Sequence, residues 1–229
     1  MEFTTHRHKR KLKLVIFDLP AVIDYRKEDL RPLLQEAIEE NLGQKVSMEF
    51  LRWEENCSGV LLDVFKRIAE RFPTNEEFEA IKSSFNIKLR SHFMKRENLY
   101  DVRHGVQSIL MQLQTLPDWH YCIVSDYWQE PTQFILESCG IYCKNIDLYT
   151  ADDALSSQDL VNKVILKRQV NKSFREIFLI SDQASLPVTS RQPVHFISLK
   201  MLSRNALNHF AYPKFADLFK RVERLPRVN

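Results

Sequence analysis

Apolar residues gather in short, nearly continuous runs separated by longer stretches with helical spacing. The first run takes in Leu12, Leu14 and Val15-Ile16-Phe17, and it stops at Asp18. Similar runs cover residues 121–124, ending at Ser125, residues 177–180, ending at Ser181-Asp182, and residues 194–199, with a weaker one at 146–149. Runs of this length, bounded by turn-forming residues, predict strands buried on both faces, as in a parallel sheet. Between them the apolar spacing predicts helices over residues 104–116, 131–139 and 160–170. Strands alternating with helices of this length mean βαβ units, hence an α/β fold with a doubly wound parallel sheet.

Residues 23–98 follow a different pattern. They hold no strand-like run, and their apolar spacing predicts amphipathic helices over 28–41, 48–55, 60–72 and 75–93. Thr74 with Glu77 forms a capping box that should start the last of these. A helical block inserted after the first strand of an α/β sheet predicts a helical cap domain at 23–98, on a core domain made of 1–22 and 99–229.

Composition narrows the class. With 229 residues and 44% hydrophobic content, the chain has room for one sizeable core carrying a small insert. No apolar run approaches the ~18 residues that would span a bilayer. The first 13 residues lack the apolar segment of a secretory signal. Cys57, Cys122, Cys139 and Cys143 lie in apolar contexts, as reduced thiols do. A cytoplasmic protein is the expectation. Only four glycines occur, none in a GxGxxG or GxxxxGK[ST] pattern after a strand, which excludes a Rossmann dinucleotide site and a P-loop. A formal charge of +3 over 33 basic and 30 acidic residues is near balance and points to no nucleic-acid partner. The basic run Arg7, Lys9, Arg10, Lys11 and Lys13 is expected to be a solvated tail; the alternative is a polyanion-binding patch, which would show as steep salt dependence.

In an open parallel sheet, ligands sit beyond the carboxyl ends of the strands, near the switch in strand order. Asp18, Ser125 and Asp182 end three separate runs and are therefore the site candidates. Two carboxylates there would suit a hard divalent cation, most plausibly Mg²⁺.

These residues carry a resemblance. Val15-Ile16-Phe17-Asp18-Leu19-Pro20-Ala21 resembles motif I of the haloacid-dehalogenase-like (HAD) hydrolases, hhhhDxDG(T/V). Ile123-Val124-Ser125 resembles motif II, Phe178-Leu179-Ile180-Ser181-Asp182 resembles motif IV, and Thr150-Ala151-Asp152-Asp153 is similar to the T-G-D-D stretch before motif III. The segment 100–106 is similar to the re-entry after the helical C1 cap of the phosphoglycolate phosphatase and β-phosphoglucomutase branch. The resemblance implies a Rossmannoid core, a Mg²⁺ cofactor and a small phosphorylated substrate. It also implies roles: Asp18 as nucleophile and metal ligand, the Pro20 carbonyl and Asp182 as further metal ligands, and Ser125 as phosphate ligand.

The departures from the pattern bear on activity. Pro20 occupies the general acid/base position and can neither give nor take a proton. It also lacks the N–H of its peptide. Ala21 replaces the usual glycine, the motif III Lys-Pro is missing, and Leu186 stands where a second motif IV acid is usual. Lys163 is the candidate replacement for the phosphate-binding lysine, and Asp24 and Glu28 are candidate stand-in acids. A HAD-like hydrolase homologue with weak or absent turnover is the expectation; the alternative is a catalytically inactive HAD-fold binding or regulatory protein. Among other residues, Cys139 and Cys143 lack a second ligand pair with zinc spacing and are expected to be buried thiols. His104 is expected in a turn and His195 in a strand. Residues 56–59 either join two cap helices or reach the cleft, and Trp128 either packs or lines the cleft.

Overall fold

A computed structural model describes residues 12–25, 30–47, 65, 69–95, 100–154, 157–171, 174–181, 194–198 and 223–224. The strands are β1 (Leu12–Asp18), β2 (Ile23–Tyr25), β3 (Tyr100–Val102), β4 (Trp119–Val124), β5 (Asp147–Tyr149), β6 (Phe174–Ser181), β7 (Val194–Ser198) and β8 (Glu223–Arg224). The helices are α1 (Leu19–Val22), α2 (Arg31–Leu42), α3 (Asn75–Lys95), α4 (Val106–Thr115), α5 (Gln129–Ser138) and α6 (Ser157–Asn171).

The main sheet has the order β5-β4-β1-β6-β7-β8. Its first five strands are parallel, and β8 closes one edge antiparallel. The five predicted core strands are all present. β1 lies between β4 and β6, so the chain winds outward on one side through β4 and β5 and then crosses to β6 and β7. Strand order therefore reverses at β1, which puts the expected ligand crevice at its carboxyl end.

The pleat divides the core in two. Val15 and Phe17 of β1, Ile123 of β4, and Phe178 and Ile180 of β6 pack with α4 and α5 and with Ile38 of α2 and Ile81, Phe85 and Leu89 of α3. Leu14, Ile16, Cys122, Ile177 and Leu179 face the other way, against Leu160, Val161, Val164 and Ile165 of α6. Both faces of β1 are thus apolar and covered, which is why its sequence shows a continuous run instead of alternation. Ile16 and Phe17 are fully buried, each burial worth roughly 1.5–3 kcal/mol.

β2 and β3 form a separate two-stranded antiparallel ladder, pairing Ile23 with Val102, Asp24 with Asp101 and Tyr25 with Tyr100. This corrects the sequence expectation of no strand in 23–98. A three-residue strand shows no period, and its partner lies on the far side of the helices. Of the helices predicted there, α2 and α3 are seen, while 48–55 and most of 60–72 lie outside the described residues. The Thr74–Glu77 capping box forms in both directions: Glu77 N–H donates to Thr74 Oγ1 at 3.2 Å, and Thr74 N–H donates to Glu77 Oε2 at 2.9 Å. α2 ends at Gly43, whose left-handed φ of 64° lets its N–H reach the Glu39 carbonyl. Lys88 of α3 then holds Glu40 of α2 at 2.5 Å, with Ser84 donating to the same carboxylate.

α3 reaches the core through aromatic contacts. Phe85 stacks on Tyr127 (centroids 6.2 Å) and meets Trp128 edge-on at 5.7 Å, and Phe78 meets Trp128 edge-on at 6.0 Å. Trp128 is buried against Phe78 and Phe85, and its remaining surface lines the depression described below. Among the described residues no helix is long and apolar enough to cross a membrane.

Candidate functional site

Three strand ends meet at the switch point. Asp18 ends β1, Ser125 follows β4 directly, and Ser181 ends β6. The register pairs Asp18 with Val124, so Ser125 lies one residue past its neighbour, and it pairs Phe17 with Ile180, so Asp18 and Ser181 end side by side. All three are buried, at 7%, 3% and 0% exposure respectively. Buried polar groups at this density need partners, and the fold supplies them.

Both Asp18 oxygens accept hydrogen bonds. Oδ1 takes the Ala21 N–H at 2.7 Å, which makes Asp18 the N-cap of α1, and Oδ2 takes the Ser181 hydroxyl. Pro20 fits this turn for a local reason: it sits in the first turn of α1, where a backbone N–H has no intrahelical acceptor. Ser125 Oγ accepts from the Thr132 hydroxyl at 2.8 Å and from the Tyr127 N–H at 3.1 Å. With two bonds accepted, its own proton is left to be donated. Thr150, at the end of β5, is 1% exposed, and its hydroxyl has no hydrogen-bond partner among the described residues.

Ser181 and Arg103 had no assigned role in the sequence. Ser181 had a visible signal, a hydroxyl in the last position of an apolar run. Arg103 had a weaker one, a base at the segment where the chain re-enters the core. Its Nε donates to the Pro20 carbonyl at 2.6 Å across 83 positions of sequence.

The other candidates are placed as follows. Lys163 is exposed on α6, and its ammonium donates to the Asp153 carbonyl, on the turn after β5. That turn is closed by the Asp153 N–H on the Thr150 carbonyl (2.8 Å) and the Thr150 N–H on Asp153 Oδ2 (3.1 Å). Asp24 is directly opposite Asp101 on the β2–β3 ladder. Asp182, Glu28, Leu186, Cys57, residues 56–59 and the basic run up to Lys11 lie outside the described residues. Lys13 is described: it pairs with Glu176 at 3.0 Å and lies over the Trp119 ring. His104 is exposed, and His195 stacks on Phe178 in β7. Burial pushes the Cys122 thiol up to about 12 and the Cys139 and Cys143 thiols up to about 11, which suppresses thiolate chemistry at neutral pH.

The described residues by themselves do not complete a divalent-ion site, and Asp182, the expected further carboxylate ligand, lies outside them. The Pro20 carbonyl holds a permanent cation, Asp18 has hydrogen bonds on both oxygens, and no group of three His, Cys, Asp or Glu side chains converges among the described residues. A divalent ion sharing an oxygen with a guanidinium sits ~4–5 Å from its charge, a repulsion of roughly 7–8 kcal/mol at an effective dielectric of ~20.

A depression of about 340 Å³ opens nearby between α3 and the start of α5, lined by Glu79, Lys82, Trp128, Gln129 and Asp152 among others. Asp152 Oδ2 accepts the Gln129 N–H at 2.8 Å, capping α5, while Lys82 holds Asp152 Oδ1 at 2.7 Å. The depression is walled by ion pairs that join α3 to the core.

No protein-family model and no curated protein matches the sequence. Solved structures do match. A predicted phosphoglycolate phosphatase from Haemophilus somnus is 17% identical with a TM-score of 0.50, over 75% of this chain and 77% of that one. CbbY from Rhodobacter sphaeroides, in complex with phosphate, is 13% identical with a TM-score of 0.52, over 76% and 79%. A HAD hydrolase, family IA, variant 3, from Entamoeba histolytica is 12% identical with a TM-score of 0.52, over 92% of this chain and all of that one. At these identities the likeness is one of fold. The chain has the fold of these haloacid-dehalogenase-like hydrolase structures, as its motifs led us to expect.

Proposed function

We propose that the chain is a HAD-type phosphatase homologue: it takes a small phosphorylated molecule at the ends of β1 and β4, with Asp18 in the nucleophile position, and turns it over weakly or not at all. The single observation that carries this reading is the meeting of Asp18, Ser125 and Ser181 at the switch point, with Pro20 next to them where a proton donor is needed. Ser125 supports binding, because its remaining proton is available to a phosphoryl oxygen. α2 and α3 serve as the cap, held to the core by Phe85 and Lys82. Asp18 is poorly placed to attack: each of its oxygens is already engaged as a hydrogen-bond acceptor.

A second reading, a non-catalytic binding protein on the same scaffold, is favoured by Pro20 in the acid/base position and by the Arg103 bond that occupies the Pro20 carbonyl. Steady-state hydrolysis of p-nitrophenyl phosphate tests the pair. Weak turnover abolished by Asp18→Asn supports the first. Phosphate binding without turnover, unchanged in Asp18→Asn, supports the second. Turnover near the typical enzyme value of ~10 s⁻¹ rejects both.

A further inference from the structure

Thr132 lies in the first turn of α5 and is fully buried, at 0% exposure. Its N–H donates to the Trp128 carbonyl at 3.1 Å, which closes that turn. Its hydroxyl meets the Ser125 hydroxyl at 2.8 Å, the one hydrogen bond it makes among the described residues. A buried hydroxyl proton needs an acceptor, so Thr132 donates and Ser125 Oγ accepts. With the direction reversed, the Thr132 proton would be buried with nothing to receive it.

Ser125 Oγ also takes the Tyr127 N–H at 3.1 Å. A hydroxyl oxygen has two acceptor sites and one proton. Thr132 and the Tyr127 amide fill the two acceptor sites, so only the proton is left, and its direction is set by elimination. The backbone holds the group in place: the Ser125 N–H donates to the Tyr149 carbonyl at 2.9 Å, and the Ala151 N–H donates to the Tyr127 carbonyl at 3.0 Å. Val124 pairs with Tyr149, so Thr150 follows on β5 as Ser125 follows on β4. Thr150 does not take the Ser125 proton, because its hydroxyl has no hydrogen-bond partner among the described residues.

We infer that Thr132 is the positioning residue of this site: its buried hydroxyl fixes Ser125 as a donor, so that the Ser125 proton is held out to an acceptor oxygen of a bound phosphoryl group. The inference rests on the phosphoryl-site reading above and names the residue that aims its hydroxyl. Two effects act in the same sense. Filled acceptor sites keep the Ser125 proton from turning inward, and bonds accepted in series polarise a hydroxyl into a stronger donor. Being fully buried, Thr132 acts only through Ser125.

The test titrates inorganic phosphate calorimetrically into the full chain in buffer containing Mg²⁺, and into Thr132→Val, Thr132→Ser, Ser125→Ala and the double variant Ser125→Ala/Thr132→Val. Thr132→Val keeps the volume and removes the donor, and it should weaken binding roughly 2- to 10-fold, the worth of one neutral hydrogen bond. Thr132→Ser keeps the hydroxyl and should bind as the wild type does. In the Ser125→Ala background Thr132→Val should change nothing, because the group it aims is gone, whereas a merely structural role would weaken binding equally in both backgrounds. If Thr132→Val fails to fold, Thr132→Cys, of similar volume and with only a weak donor, takes its place in the same cycle. Undiminished binding in the folded variant overturns the role of Thr132 and leaves the phosphoryl reading intact. Equal loss with and without Ser125, or Thr132→Ser binding as poorly as Thr132→Val, does the same. Failure of phosphate to bind the wild type overturns both.

Discussion

Ser181 and Asp18 are 163 positions apart in the chain, yet the Ser181 hydroxyl donates directly to Asp18 Oδ2 where β6 and β1 end. The other Asp18 oxygen caps α1 through the Ala21 N–H. The residue in the nucleophile position therefore also ties two strands together and starts the turn that follows. Its contribution to folding and its part in any chemistry are coupled through the same two oxygens.

That coupling is measurable. Ser181→Ala leaves a buried carboxylate oxygen without its donor and should destabilise by ~1–3 kcal/mol. Asp18→Ala also loses the N-cap, worth ~0.5–2 kcal/mol. In urea denaturation the double variant should fall short of the sum by ~0.5–3 kcal/mol. Strict additivity would mean the hydroxyl–carboxylate bond contributes nothing.

Turnover should respond to position 20, though only partly. A positioned acid/base contributes ~10²–10⁴-fold. Pro20→Asp restores a proton donor and a backbone N–H, but it leaves Asp18 with hydrogen bonds on both oxygens and Arg103 at the loop. A rise of no more than ~10²-fold in p-nitrophenyl phosphate hydrolysis is expected, at the low end of that range. A larger rise would show that Pro20 alone silences the site.

Phe85 joins α3 to the loop beyond β4 and is 1% exposed. Phe85→Ala should cost ~3–5 kcal/mol and reduce the near-ultraviolet circular dichroism of Trp128, whose ring it meets edge-on. Loss of stability with an unchanged aromatic signal would contradict the placement of α3 against Trp128.

Low pH should act on the start of α3. Hydrogen bonds from Arg71, then from the Thr74 N–H, hold the Glu77 carboxyl down to about 2 from its ordinary 4.5. A group depressed in the folded state stabilises above its unfolded value and loses that contribution as pH falls through the folded one. The melting-temperature gap between wild type and Glu77→Gln should stay constant above pH ~5 and close between pH ~4.5 and 2. The gap should be small, because the Arg71–Glu77 pair is exposed and screened. A gap that widened on acidification would reject the capping role.

The sequence by itself determined the parts of this protein whose signal is local. β1, β4 and β6 are runs of apolar residues because the sheet is covered on both faces, and polar residues mark their ends: Asp18, Ser125 and Ser181-Asp182. The sequence singled out Asp182, which lies outside the described residues, and assigned Ser181 no role. The start of α3 was legible for a similar reason, since Thr74 and Glu77 satisfy each other within one turn. Tertiary structure alone decided what those strand ends touch. The Ser181–Asp18 bond depends on β6 crossing to the far side of β1, and the Arg103–Pro20 bond depends on β2 and β3 pairing across the inserted helices. Three-residue strands carry no period, and a hydrogen bond between distant positions leaves no spacing to detect. The fold was therefore written in repeated local burial, and the chemistry of the site in single long-range contacts.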